Sequence, residues 1–135
     1  MVQSLLRHMA TAKILIVEDD RDIRQLLGHR LKACGYEAIF AGDAIAAVNQ
    51  ARNEKPDLIL LDLAMPAGDG YVVIERIKAM PALEGTPIII VTARDPLAEE
   101  QRFISSGADA FFRKPFDYEE LLGAISRALG SEPPA

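Results

Sequence analysis

Strand-like apolar runs and helix-like amphipathic stretches alternate five times along this chain, and no other feature constrains the fold as tightly. Residues of about 13–17, 36–41, 58–61, 88–91 and 110–112 form short runs rich in Ile, Leu, Val, Ala and Phe, the pattern of strands buried on both faces. Between them the apolar spacing switches to three and four. Ile23, Leu26, Leu27, Leu31 and Cys34 make one such helical face, and Gly35 ends that helix. Asp43 reads as the cap of a second helix whose Ala44, Ala47, Val48 and Ala51 are small enough to lie close to a sheet. A third helix is expected over about 69–80 with Tyr71, Ile74 and Ile77 inward. Pro96 opens a fourth and Gly107 closes it, while the fifth carries Leu121, Leu122, Ile125 and Leu129 and stops at Gly130. Five βα units with right-handed crossovers give an α/β fold, a parallel sheet with helices on both faces.

At 135 residues the chain is long enough for one well-buried core, and 50% hydrophobic with 26% charged residues is ordinary for a globular protein. A net charge of −5 argues against direct binding to nucleic acid or to an anionic membrane, both of which need a basic face. Cys34 is the only cysteine, so no internal disulfide can form; it is expected as a small core residue on a helix, and the expected setting is the cytoplasm. No apolar stretch is long enough to span a bilayer, and Leu5 and Leu6 are too short a block for a signal peptide. The division expected is a tail over 1–12, one domain over 13–130, and a polar tail over 131–135.

Acidic residues stand where strands end: Glu18 and Asp19 after the first, Asp62 after the third. Open parallel sheets bind ligands at that carboxyl edge. Acids brought together there repel one another unless a cation lies between them, and hard oxygen donors suit Mg²⁺.

Four strings then carry a resemblance: Ile14 to Asp20 (ILIVEDD); Asp57 to Pro66 (DLILLDLAMP) with Asp69-Gly70; Val91-Thr92-Ala93; and Lys114-Pro115-Phe116. Their order, each at the end of an expected strand over about 13–129, closely resembles the receiver domain of two-component response regulators. The resemblance implies a flavodoxin-like, doubly wound sheet of order 2-1-3-4-5 flanked by five helices. It also implies Asp62 as phosphoacceptor, with Asp19, Asp62, Glu18 and the backbone carbonyl of Ala64 around Mg²⁺. Glu18 stands where the family often has Asp, and its extra methylene leaves direct coordination and contact through a water both open. Thr92 and Lys114 would each donate to a phosphoryl oxygen, and Lys114-Pro115 would be a cis bond aiming the lysine inward. Thr92 and Phe111 would form the switch that remodels a surface of helix 4, strand 5 and helix 5, where Glu99, Glu100, Arg102, Glu119 and Glu120 offer either charge-guided recognition or only a solvated face. The residues at Ala64 and Arg94 flank the site and bear on hydrolysis in this family.

The chain so read is a signalling domain that assists its own phosphorylation and dephosphorylation, not an enzyme with an external substrate. Implied partners are a sensor histidine kinase or histidine phosphotransfer protein and a downstream effector, with room for a phosphorylation-linked homodimer. Some of these residues also have ordinary duties. Asp20 and Asp69 suit helix caps, Asp22 suits a first helical turn, and Met65 to Gly68 suits a turn. Phe111 and Phe112 must point to opposite faces, one toward helix packing and the other toward the switch surface. A flavodoxin is disfavoured because Glu18 and Asp19 would repel a phosphate in the first loop, and a haloacid dehalogenase phosphatase because Ala64 stands where its second Asp belongs. The remaining alternative is a receiver-fold interaction module that acts without phosphorylation.

Overall fold

The computed structural model describes residues 11–130. Five parallel strands form one sheet: β1 Lys13–Val17, β2 Glu37–Ala41, β3 Leu58–Leu61, β4 Ile88–Thr92 and β5 Ala110–Arg113, in the order β2-β1-β3-β4-β5. Between and after them lie α1 Arg21–Ala33, α2 Ala44–Glu54, α3 Gly70–Lys78, α4 Pro96–Ser106 and α5 Tyr118–Ala128. Val17 pairs with Ala41 on one side and Leu61 on the other, so β1 and β3 are neighbours at the point where the strand order reverses.

The sheet is buried on both sides because its strands are apolar on both sides. Leu15, Val17, Ile59, Leu61, Ile88 and Ile90 face a cluster with Ala47, Ala51, Ile74 and Ile77 from α2 and α3. Their alternates Ile14, Ile16, Leu58, Leu60, Ile89 and Val91 face Leu27, Leu31, Leu121, Leu122 and Ile125 from α1 and α5. Each such side chain contributes about 1.5–3 kcal/mol by leaving water, and the central strands supply most of them. Helix α4 contributes no buried residue. It is attached through partly buried Phe103, whose ring meets that of Phe111 edge-on at 5.8 Å.

Caps and turns follow the side-chain chemistry. Asp20, Asp43, Asp69, Asp95 and Asp117 each precede a helix and accept from its first exposed N–H groups. Tyr36 N–H bonds to Leu31 C=O and Gly35 N–H to Lys32 C=O, with Gly35 at φ 90°, the paired bonds of a glycine-terminated helix.

Two expectations for α1 are corrected. Leu26 is 56% exposed, because its neighbour Leu27 points at the sheet and adjacent helical residues lie about 100° apart. Cys34 is exposed, because α1 ends at Ala33 and Cys34 is the cap residue at the turn toward β2. Smaller differences lie at element ends: β2 starts at Glu37, α3 ends at Lys78, and α5 ends at Ala128 with Leu129 as its cap. Of the two expected tails, residues 1–10 and 131–135 lie outside the described residues. No helix among the described residues is long and apolar enough to cross a membrane.

Candidate functional site

Glu18, Asp62 and Lys114 are each the first residue beyond a strand, and each is still tied to the neighbouring strand by its own backbone N–H. Glu18 donates to Ala41 C=O at 3.0 Å, Asp62 to Val17 C=O at 3.0 Å, and Lys114 to Thr92 C=O at 2.8 Å. Their side chains therefore emerge from a fixed carboxyl edge, which suits a site needing positional precision.

The side chains converge. One oxygen each of Glu18, Asp19 and Asp62 lies within 4.8 Å of the others. Lys114 Nζ donates to Asp62 Oδ2 at 2.9 Å and to Glu18 Oε1. Asp62 Oδ1 accepts from Ala64 N–H at 3.0 Å, and Glu18 Oε2 accepts from Asp20 N–H at 3.1 Å. Arg24 holds the Glu18 carbonyl from α1 at 2.9 Å. Glu18 and Asp62 are buried and Asp19 is exposed, so the cluster is walled by protein and opens to solvent on the Asp19 side.

Burial raises the Glu18 carboxyl above the usual carboxylate range, with the Lys114 hydrogen bond pulling the other way. Burial works to lower Lys114, but its hydrogen bonds to Glu18 and Asp62 outweigh it, and the ammonium is held more firmly charged than usual. Three carboxylates against one ammonium leave a formal excess of two negative charges. That excess and the all-oxygen donor set fit a hard divalent cation.

Thr92 ends β4 fully buried, and its Oγ1 accepts from Arg94 N–H at 3.4 Å. The Lys114-Pro115 peptide is cis. Phe111 packs with the α2 and α3 face and Phe112 with the α1 and α5 face, the alternation expected of a strand. Ala64 lies just past Asp62 in a two-residue ladder, Ala64–Met65 against Gly68–Asp69, closed by a turn with Ala67 at φ 63°.

The charged residues expected to face a partner are partly engaged within the chain. Glu99 accepts from the Tyr71 hydroxyl at 3.0 Å and faces Arg94 at 3.6 Å. Arg102 donates to Asp69 at 2.7 Å and lies 4.3 Å over the Tyr71 ring. Sequence reasoning missed this network; its one trace was Glu99 and Arg102 three apart on a helix, which a solvated face explains equally well.

A family model for the response regulator receiver domain matches residues 14–126. The chain is 39% identical over 117 residues to the transcriptional regulatory protein YxdJ of Bacillus subtilis, covering 87% of this chain and 50% of that protein. It is 36% identical over 119 residues to the response regulator MprA of Mycobacterium bovis, covering 88% and 50%. It thus spans about half the length of the curated relatives it matches. Among solved structures it is similar to the chemotaxis response regulator CheY4 of Vibrio cholerae, with TM-score 0.82, 31% identity, and 88% and 99% of the two chains covered. It is equally similar to the receiver domain of sensor histidine kinase PA1611 of Pseudomonas aeruginosa, which has a magnesium ion coordinated in its active-site cleft. That comparison gives TM-score 0.82, 31% identity, and coverage of 90% and 100%. The five-stranded order, the carboxyl-edge acids and the match over 14–126 agree, and this chain belongs to the response regulator receiver domain family.

Proposed function

We propose that this chain is a phosphoacceptor in two-component signalling, taking a phosphoryl group onto Asp62 from a phosphohistidine on a sensor kinase or histidine phosphotransfer protein. The observation that carries this reading is the convergence of Glu18, Asp19 and Asp62 within 4.8 Å, with Lys114 reaching two of them. Asp19, Asp62 and the Ala64 carbonyl are the proposed holders of Mg²⁺, with Glu18 a ligand directly or through a water. Bound there, the ion would neutralise charge developing on the transferring phosphoryl oxygens.

The chain's own residues divide the remaining work. Ala64 N–H holds one Asp62 oxygen and Lys114 the other, which fixes the carboxylate's orientation at the sheet edge before the donor arrives. An Asp62 oxygen attacks phosphorus as the bond to the donor imidazole breaks, and the electron pair returns to the ring nitrogen. Lys114, kept charged by its two carboxylate partners, turns from Asp62 to a phosphoryl oxygen. Thr92 Oγ1, which accepts from Arg94 N–H, donates its own hydroxyl proton to another phosphoryl oxygen, with Phe111 responding beside it. Helix α4, with no buried residue, is the element least costly to shift, and the α4, β5 and α5 face is the proposed output surface for an effector or a second copy. We place this activity in the cytoplasm.

The test is intact-mass spectrometry after incubation with Mg²⁺ and acetyl phosphate, beside Asp62→Asn and a chelated control. Gain of one phosphoryl group by the wild type with metal alone is expected. Equal labelling of Asp62→Asn would overturn the assignment of the acceptor, and no labelling by acetyl phosphate or by a histidine kinase would overturn the function.

A further inference from the structure

A clasp of five side chains joins the edge of the site to two helices. Arg94 follows β4 and anchors its backbone N–H on Thr92 Oγ1 at 3.4 Å, while its guanidinium faces Glu99 Oε1 on α4 at 3.6 Å. The other Glu99 oxygen accepts from the Tyr71 hydroxyl of α3 at 3.0 Å. The Tyr71 ring lies 4.3 Å under the Arg102 guanidinium, which returns to Asp69, the cap of α3, at 2.7 Å. Glu99 is the centre of this arrangement. Its side chain is 13% exposed, and each of its oxygens has a different partner.

The two ends of the clasp differ in strength. Tyr71 to Glu99 is a hydrogen bond of good length to an ionised acceptor in a poorly hydrated place. Arg94 to Glu99 is longer, and the Arg94 side chain is 38% exposed, so that link is the exchangeable one. A phosphoryl group on Asp62 would bring a second anion to the same sheet edge, with more charge than a carboxylate and a geometry that suits a planar guanidinium.

We infer that Glu99 is a positioning residue that holds Arg94 on the α4 side of the site, and that Tyr71 fixes Glu99 for that purpose. The consequence is control of how long the phosphoryl group survives. An Arg94 retained by Glu99 leaves the group open to water, whereas a released Arg94 pairs with its oxygens and shields it. The inference rests on the phosphoacceptor reading above.

The test follows loss of the phosphoryl mass from Asp62 after the acetyl phosphate is removed, in wild type, Glu99→Gln, Tyr71→Phe, Arg94→Ala and the double variant Arg94→Ala/Glu99→Gln. Glu99→Gln keeps an acceptor for Tyr71 and removes the charge that holds Arg94. It should slow the loss about two- to fivefold, the factor an exposed ion pair converts to. Tyr71→Phe should act in the same direction and less strongly. In the Arg94→Ala background the Glu99 change should have no further effect, an outcome that a general loosening of α4 would not produce. Wild-type decay in Glu99→Gln, or an effect that persists without Arg94, would overturn the inference. If Glu99→Gln does not fold, Tyr71→Phe with and without Arg94 decides in the same way. A wild type that gains no mass would overturn the phosphoacceptor reading and the inference with it, an outcome visible before any decay is compared.

Discussion

Lys114 Nζ lies 2.9 Å from Asp62 Oδ2 although β4 stands between the strands that carry them, and the same ammonium bonds Glu18 from β1. One cation thus joins three strands across the edge of the sheet. Lys114→Met keeps the volume and removes the charge, leaving Glu18 and Asp62 facing each other. The expected cost at neutral pH is about 2 kcal/mol, below that of a fully buried broken pair because the edge opens to water. Without the ammonium, the folded state raises carboxyl proton affinity above that of the unfolded chain, so folded protein binds more protons. The variant should therefore regain stability as pH falls from about 7 to about 5. Millimolar Mg²⁺ should restore part of the loss at neutral pH. Urea unfolding at several pH values checks this, and a variant as stable as wild type would mean that Lys114 does not compensate the acids.

The Asp69 and Arg102 pair has the opposite pH sense. The Arg102 hydrogen bond, opposed by slight burial, holds the Asp69 carboxyl below its usual range. A depressed folded value contributes stability that is present above the unfolded carboxylate range and lost as pH falls through the folded one. The interaction in a double-mutant cycle of Asp69→Asn and Arg102→Gln should therefore be favourable at about pH 7 and absent well below about pH 3. Both side chains are substantially exposed, so the effect should be small and should shrink in salt. A coupling that is unchanged in acid would show that ring stacking on Tyr71, and not charge, holds Arg102.

Backbone conformation gives a pair of substitutions with opposite signs. Lys55 caps α2 at φ 47° and ψ 62°, a left-handed conformation that costs a non-glycine residue about 1–2 kcal/mol, so Lys55→Gly should gain roughly 0.5–1 kcal/mol after its greater unfolded entropy is counted. Gly28 lies inside α1, where glycine is normally a weakness. A Cβ there would stand 2.6 Å from the Phe40 ring, so Gly28→Ala should lose about 1–3 kcal/mol despite its better helix propensity. Thermal unfolding of both variants measures the two signs. A stabilised Gly28→Ala would mean that Phe40 has room to turn away.

The fold was legible because buried parallel strands must be apolar on both faces, as Leu58 to Leu61 are, and because Asp20, Asp43 and Asp69 mark helix starts by a local hydrogen bond. The acid cluster was legible for a related reason, since Glu18 and Asp62 interrupt apolar runs where strands must end. The failures share a different cause. Leu26 and Cys34 fit a helical spacing whose phase and end depend on which residues meet the sheet. The ties among Tyr71, Glu99 and Arg102 join separate helices, and nothing local in the sequence encodes that contact.

Tyr118 offers a test of how completely the α1 and α5 face is satisfied. It begins α5 after the Asp117 cap, and its ring receives the Arg30 guanidinium at 4.6 Å. Its hydroxyl is buried and has no hydrogen-bond partner among the described residues, and burial pushes the phenol up to about 12. A buried hydroxyl with no partner carries a desolvation cost that phenylalanine does not, while the ring and its packing stay the same. Tyr118→Phe should therefore stabilise the protein at neutral pH by up to about 1 kcal/mol. The pH sign follows from a folded value raised above the unfolded phenol value of 10.0. Stability from keeping the phenol protonated is intact below the unfolded value and lost as pH rises through the folded one. Wild type should thus weaken faster than Tyr118→Phe between 10.0 and about 12, and the gap between them should widen across that window. Urea unfolding followed by circular dichroism measures both effects. A Phe variant less stable than wild type at neutral pH would show that the hydroxyl has a partner, and a gap constant through alkaline pH would show that Tyr118 titrates alike in folded and unfolded chains.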